Sequence, residues 1–161
     1  MMTVAAAFEV SLRRVTAESV TDICDLSETL SEAQRGKVAD NGQSIAEAHY
    51  SENAWFRGIY ADEEPAGFVM LHLGGDWHDG IEHDGAFLWR LMIAGPYQGK
   101  GVGQRALAMV VRGLRAKGYT ELYTSYGLGE ASPAGFYARL GFRPTGEMLG
   151  DEAEALLTFE T

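Results

Sequence analysis

Three glycines alternate with Lys100 and Val102 in Gln98-Gly99-Lys100-Gly101-Val102-Gly103, directly after an apolar run and directly before a helix-like one. Without Cβ atoms, glycines take dihedrals closed to other residues and let backbone N–H groups close on an anion such as a diphosphate. A helix opening near Gly103 would add its positive end. Two well-known phosphate loops do not fit. A Walker loop is G-x-x-x-x-G-K-[ST], but Gly95 and Gly99 stand one residue too close, and Gly101 holds the place of the magnesium-binding hydroxyl. A dinucleotide fingerprint is G-x-G-x-x-G in an opening βαβ unit, whereas this loop is G-x-G-x-G and begins at residue 99.

Other reactive types are scattered. The polar stretch "GDWHDGIEHDG" (75–85) contains His78, Glu82, His83 and Asp84, but no further ligand cluster accompanies the histidines, so no metal site is expected. Cys24 is the sole cysteine and makes no internal disulfide; near Val20 and Ile23 on a helical pattern it reads as core. Tyr137 sits on a short helical pattern after Ser132-Pro133, a favourable cap and first-turn pair.

Charge separates along the chain. Residues 90–143 hold eight of the thirteen Lys/Arg and only Glu121 and Glu130 as acids, a net +6, while the remainder is −16. A basic segment around the glycine loop suits a polyanionic ligand, and the acidic remainder suits a cationic one. The overall −10 argues against nucleic acid as a partner. Apolar runs are far shorter than a membrane span, and the N-terminus lacks the pattern of a secretory signal, so a cytoplasmic protein without a membrane partner is the expectation. With 161 residues and 46% hydrophobic content, the chain reads as one domain, 1–161, with a sizeable core.

These residues need a scaffold, and periodicity supplies one. "FEVSLRRV" (8–15) reads as a first strand, and Thr16 can cap a helix over about 17–30 with Val20, Ile23, Cys24 and Leu30 inward. Ser44 with Glu47 three residues on predicts a capping box opening a short helix at 44–51. Residues 54–62 and 67–74 read as an antiparallel hairpin joined by the turn "DEEPAG", and 86–94 as the strand feeding the glycine loop. Leu107, Val110, Val111 and Leu114 form the stripe of an amphipathic helix that stops near Gly118. Strands at 119–126 and 154–161 flank the short helix 133–140. The expectation is α/β (α+β): a mixed central β-sheet of about six to seven strands with helices on both faces.

The Q-x-x-G-x-G loop between a strand and a long helix resembles the pyrophosphate loop of the GNAT (N-acetyltransferase) superfamily. Phe136-Tyr137-Ala138-Arg139-Leu140-Gly141-Phe142 resembles the second half of a downstream family motif, with Glu130 and Pro133 replacing the common Asn and Ala. The resemblance implies a GNAT fold and acetyl-CoA / CoA as cosubstrate, held by Gln98, Gly99, Lys100, Gly101, Val102 and Gly103, with Arg105 and Arg139 as further phosphate candidates. It implies pantetheine pairing along Leu91, Met92 and Ile93, with the Met92 N–H as oxyanion donor, and Tyr137 as proton donor to the thiolate. Candidate bases are Glu82, Asp84, His83 and Glu28. Residues 44–71 and 124–147 look like bacterial diamine and spermidine/spermine N-acetyltransferases, implying a polyamine acceptor met by Glu28, Glu32, Trp55, Trp77, Glu82 or Asp84. Acetyltransferases for aminoglycosides, amino acids or protein N-termini, or a non-catalytic acyl-coenzyme A sensor, are the alternatives. A homodimer is a further expectation from the resemblance.

Overall fold

The computed structural model describes residues 8–75 and 83–160. Seven strands form one sheet: β1 (Val10–Arg13), β2 (Ala54–Ala61), β3 (Glu64–Leu73), β4 (Ala86–Ile93), β5 (Glu121–Gly127), β6 (Arg143–Leu149) and β7 (Glu152–Thr158), in the order β1-β2-β3-β4-β5-β7-β6. Every neighbouring pair is antiparallel except β4–β5, whose parallel pairing requires a crossover. That crossover is α4 (Val102–Ala116), preceded by a 3₁₀ turn at Gly95–Tyr97.

The core lies on both faces because β3 alternates between them. Val69 and Leu71 join Leu91, Leu107, Val110, Leu114 and Leu122 beneath α4, while Phe68, Met70 and Met92 pack with Ile23 and Ala48 on the other side. Ile23 belongs to α1 (Val20–Asp25) and Ala48 to α3 (Asn41–Ala48). Of the stripe read from sequence, Val111 is half-buried, and Leu107, Val110 and Leu114 beside it are inside α4's buried face. Burying each contributes about 1.5–3 kcal/mol.

Several boundaries differ from the sequence reading. The first helix begins at Val20, because Thr16 and Ser19 hydrogen-bond each other's backbone N–H and form a separate turn before it. It gives way to a 3₁₀ turn at Leu26–Thr29. A capping box does occur, but at Ser31 and Gln34, which open the short α2 (Glu32–Arg35). Ser44 lies buried in the middle of α3, which starts three residues earlier because Asn41 is anchored by hydrogen bonds to Ser27 Oγ and the Ile23 carbonyl. The β2–β3 turn is tighter than "DEEPAG": only Asp62 and Glu63 lie outside the strands, with Asp62 at φ 53°. Strand β6 carries no buried residue and contains Pro144 and Gly146, so it has no alternation to read. It survives as an edge strand, where a proline breaks no ladder on its outer side.

Candidate active site

Strands β4 and β5 pair through only two registered positions, Phe87 with Tyr123 and Leu88 with Thr124, and then part. The cause is on the other edge of β4. Met70 pairs with Arg90 but Leu71 with Leu88, so Trp89 is an extra residue, a β-bulge that bends the strand. Beyond it lies an open cleft of about 1110 Å³ lined by Leu91, Met92 and Ile93 on one side and by Ser125 and Tyr126 on the other.

The bulge also decides which backbone groups face this cleft. Ala94 donates to the Ala66 carbonyl on β3, and strand groups alternate sides, so the Met92 N–H and C=O point to β3 as well. Consistently, a side chain at Gly67 on β3 would lie 2.4 Å from the Met92 carbonyl oxygen. The groups aimed into the cleft are therefore those of Leu91 and Ile93, and the Ile93 carbonyl accepts from Gln98 Nε2 there at 2.9 Å. The Met92 N–H expected as oxyanion donor is committed to the sheet. One inserted residue turns the Leu91 N–H toward the cleft instead.

Glycine conformation shapes the mouth of the cleft. Gly99 and Gly101 have φ of 75° and 79°, values that favour glycine, and Gly101 is the residue before α4. The first N–H groups of α4 have no intrahelical partner and carry its positive end. Gly103 matters for packing instead. A Cβ there would meet the Phe136 ring at 3.0 Å, so its bareness lets α4 pack against α5 (Ala134–Arg139). Arg105 donates to the carbonyls of Gly101, Lys100 and Phe8, which braces the loop from behind rather than reaching for a ligand.

Tyr137 is carried to the cleft by α5. It is 6% exposed, stacks on Tyr126 with centroids 5.4 Å apart, and meets Phe136 and Phe142 edge-on. Burial pushes its phenol up to about 12; Thr124, its hydrogen-bond partner, and Arg90 oppose this, and Glu152 adds to it. Thr124 is the last β5 residue paired with β4, and its Oγ1 donates to the Leu88 carbonyl at 3.0 Å. The Tyr137 hydroxyl thus stands where the two strands part.

Of the residues expected to hold the cofactor, Leu91, Met92, Ile93, Gln98, Gly99, Gly101, Val102 and Gly103 all line the cleft, as does Arg139; Lys100 does not, and its carbonyl accepts from Arg105. Of the expected acceptor residues, those among the described residues are not brought to it. Glu28 is exposed on the 3₁₀ turn, Asp84 is exposed before β4, and Trp55 packs on the α4 face of the sheet with Arg57 stacked 4.6 Å over its ring. His83 is packed on Tyr123 at 4.2 Å, outside the cleft. Trp77, His78 and Glu82 lie outside the described residues. Among the described residues no group of three His, Cys, Asp or Glu could hold a metal ion, and no helix is long and apolar enough to cross a membrane.

Sequence reasoning missed the other side of the cleft. The chain around α2 spans it: Gln34 Nε2 donates to Gln98 Oε1 at 3.2 Å, and Lys37 Nζ to the Leu128 carbonyl at 2.7 Å. Arg90 and Glu152 also line it. Burial lowers the Arg90 guanidinium from its usual value, with Glu47 and then Glu152 opposing. No sequence pattern marks Glu152, because it opens a strand whose pairing with β5 is a long-range event.

The family model described as the acetyltransferase (GNAT) family matches residues 21–142. Among curated proteins none matches the sequence. Solved structures do resemble the fold. An acetyltransferase from Thermus thermophilus superposes with TM-score 0.74 at 20% identity, covering 93% of this chain and 97% of that one. The PaiA N-acetyltransferase of Thermoplasma acidophilum, solved in complex with coenzyme A, gives 0.64 at 18% identity over 94% and 100%. The ribosomal-protein-S18-alanine N-acetyltransferase of Escherichia coli gives 0.65 at 14% identity over 95% and 96%.

Proposed function

The chain belongs to the GNAT acetyltransferase family, and on that premise we propose that it moves the acetyl group of acetyl-CoA onto a primary amine, with a diamine or polyamine as acceptor. The observation that carries the reading is the parting of β4 and β5, with Leu91 and Ile93 backbone groups along one wall, Tyr137 at the apex and the Gly99–Gly101 bend at the mouth. The residues fit acetyl-CoA. Its extended arm suits an unpaired strand edge, and its phosphates suit a cleft lined by four bases and a helix N-terminus. Bound there, it supplies the thioester carbon that an amine attacks.

The chain's own groups account for the rest. The Leu91 N–H, fixed in the strand, donates to the oxygen that gains charge during attack, at no cost of reorganisation. Tyr137 donates its O–H to the sulfur as the C–S bond breaks. A phenol and a thiol ordinarily differ by about 1.5 pKa units. Burial at the same apex penalises a thiolate as it penalises the phenolate, which favours handing the proton to the sulfur. The attacking nitrogen must be neutral, and its remaining surplus proton replaces the one Tyr137 gave up.

Support for a cationic acceptor comes from the −16 outside the basic segment and from Glu152 inside the cleft. Thiol release measured with acetyl-CoA and a panel of spermidine, putrescine, aminoglycosides, amino acids and short peptides tests this reading. The expected outcome is release with spermidine or putrescine well above background. Faster turnover of a peptide N-terminus would replace the polyamine acceptor, and binding of acetyl-CoA without release to any amine would make the protein a sensor.

A further inference from the structure

Glu152 opens β7 and is the only carboxylate among the described residues that lines the cleft, against Arg35, Lys37, Arg90 and Arg139. None of those bases forms an ion pair with it. Arg90 is paired with Glu47 at 3.4 Å, Arg35 with Asp40 at 3.7 Å, and Lys37 is turned to the Leu128 carbonyl. Arg139 makes no ion pair with it either. Its strand partners are Gly127 on β5, over which the Lys37 side chain lies, and Leu149 on β6. Ser125 Oγ donates to Oε1 at 2.7 Å and fixes the carboxyl group, while Oε2 takes no hydrogen bond from any described residue. A held carboxylate with no ion-pair partner and one free oxygen, lining the cleft, is a receptor for a cation.

It does not suit the nitrogen that attacks. Contact with a carboxylate favours the charged form of an amine, whereas attack needs the neutral lone pair. We propose that Glu152, oriented by Ser125, binds a second, charged nitrogen of the acceptor and so makes the enzyme select amines that carry one. This rests on the acetyltransferase reading above and names the feature its acceptor must have.

The test compares putrescine with n-butylamine, which match in chain length and differ in the second ammonium. The native protein is expected to show at least tenfold higher kcat/KM for putrescine. Glu152→Gln keeps an acceptor for the Ser125 hydroxyl but loses the charge; it should raise KM for putrescine until the preference falls within about twofold, with kcat little changed and KM for acetyl-CoA unaltered. Glu152→Asp, which restores the charge, should recover part of the preference, a result that a merely structural role would not produce. A preference that persists in Glu152→Gln, or native kinetics that do not distinguish the two amines, overturns the inference and leaves acetyl transfer standing. Absence of thiol release with every amine overturns the acetyltransferase reading itself, and the inference with it.

Discussion

Tyr137, proposed above as the proton donor, shows how a burial that looks structural could serve chemistry. Three aromatic rings enclose it, and the enclosure is what lifts its phenol to about 12. At such a value the group stays protonated across the working range and is always available as a donor. Replacing Tyr137 with Phe should lower turnover about tenfold or more while acetyl-CoA affinity, read by calorimetry, stays the same. The sign of the pH effect follows from the raised value: protonated below about 12, Tyr137 puts no alkaline fall on activity up to about pH 10, and the rate should climb with pH as more of the amine becomes neutral. A decline above about pH 9 that disappears in Tyr137→Phe would contradict this. At this scale the sequence was partly legible. Tyr137 and the glycines are recoverable from a local motif, but the choice between the Met92 and Leu91 amides depends on where one extra residue enters a ladder.

Among the elements, the bulge at Trp89 and the bend before α4 set the geometry, and the glycines divide the labour. Gly101 is needed for its φ of 79°, where a left-handed backbone costs other residues roughly 1–2 kcal/mol. Gly103 is needed because Phe136 occupies the space of a Cβ. The two changes should therefore part. Gly103→Val overpacks the α4–α5 contact and should lower unfolding stability by about 1–3 kcal/mol in urea titration. Gly101→Val should lose comparable stability to backbone strain and, in addition, weaken acetyl-CoA binding by disturbing the bend and obstructing approach to its amides. Equal losses of affinity in both variants would remove the distinction. Element identity was readable wherever a face is buried, as in α4 and in β2 to β5. It failed at β6, which buries nothing, and at Ser44, where a capping pattern was outweighed by the anchoring of Asn41.

For the molecule as a whole, charge segregation along the chain becomes segregation in space only in part. Among the described residues the cleft gathers four bases from three separate regions of sequence around one acid. Acetyl-CoA binding should accordingly weaken several-fold as salt rises from about 0.1 to 1 M, over which the screening length shrinks from about 10 to 3 Å. Calorimetric affinities independent of salt would mean that contacts to uncharged groups dominate. The acids that dominate the remainder of the chain do not converge in the same way, since Glu28 and Asp84 stay in solvent away from the cleft.

By itself the sequence determined the mixed sheet and the helix that follows the glycine bend, because each is written in a periodic buried face, while the tyrosine at the cleft was marked by resemblance to a family motif. The tertiary structure alone decided which amides face the opening, that Arg105 braces the loop, and that Glu152 stands in the cleft. Those depend on a one-residue bulge and on pairings between strands distant in the chain. Such contacts are chosen by the fit of the whole sheet, and no short stretch of residues encodes them.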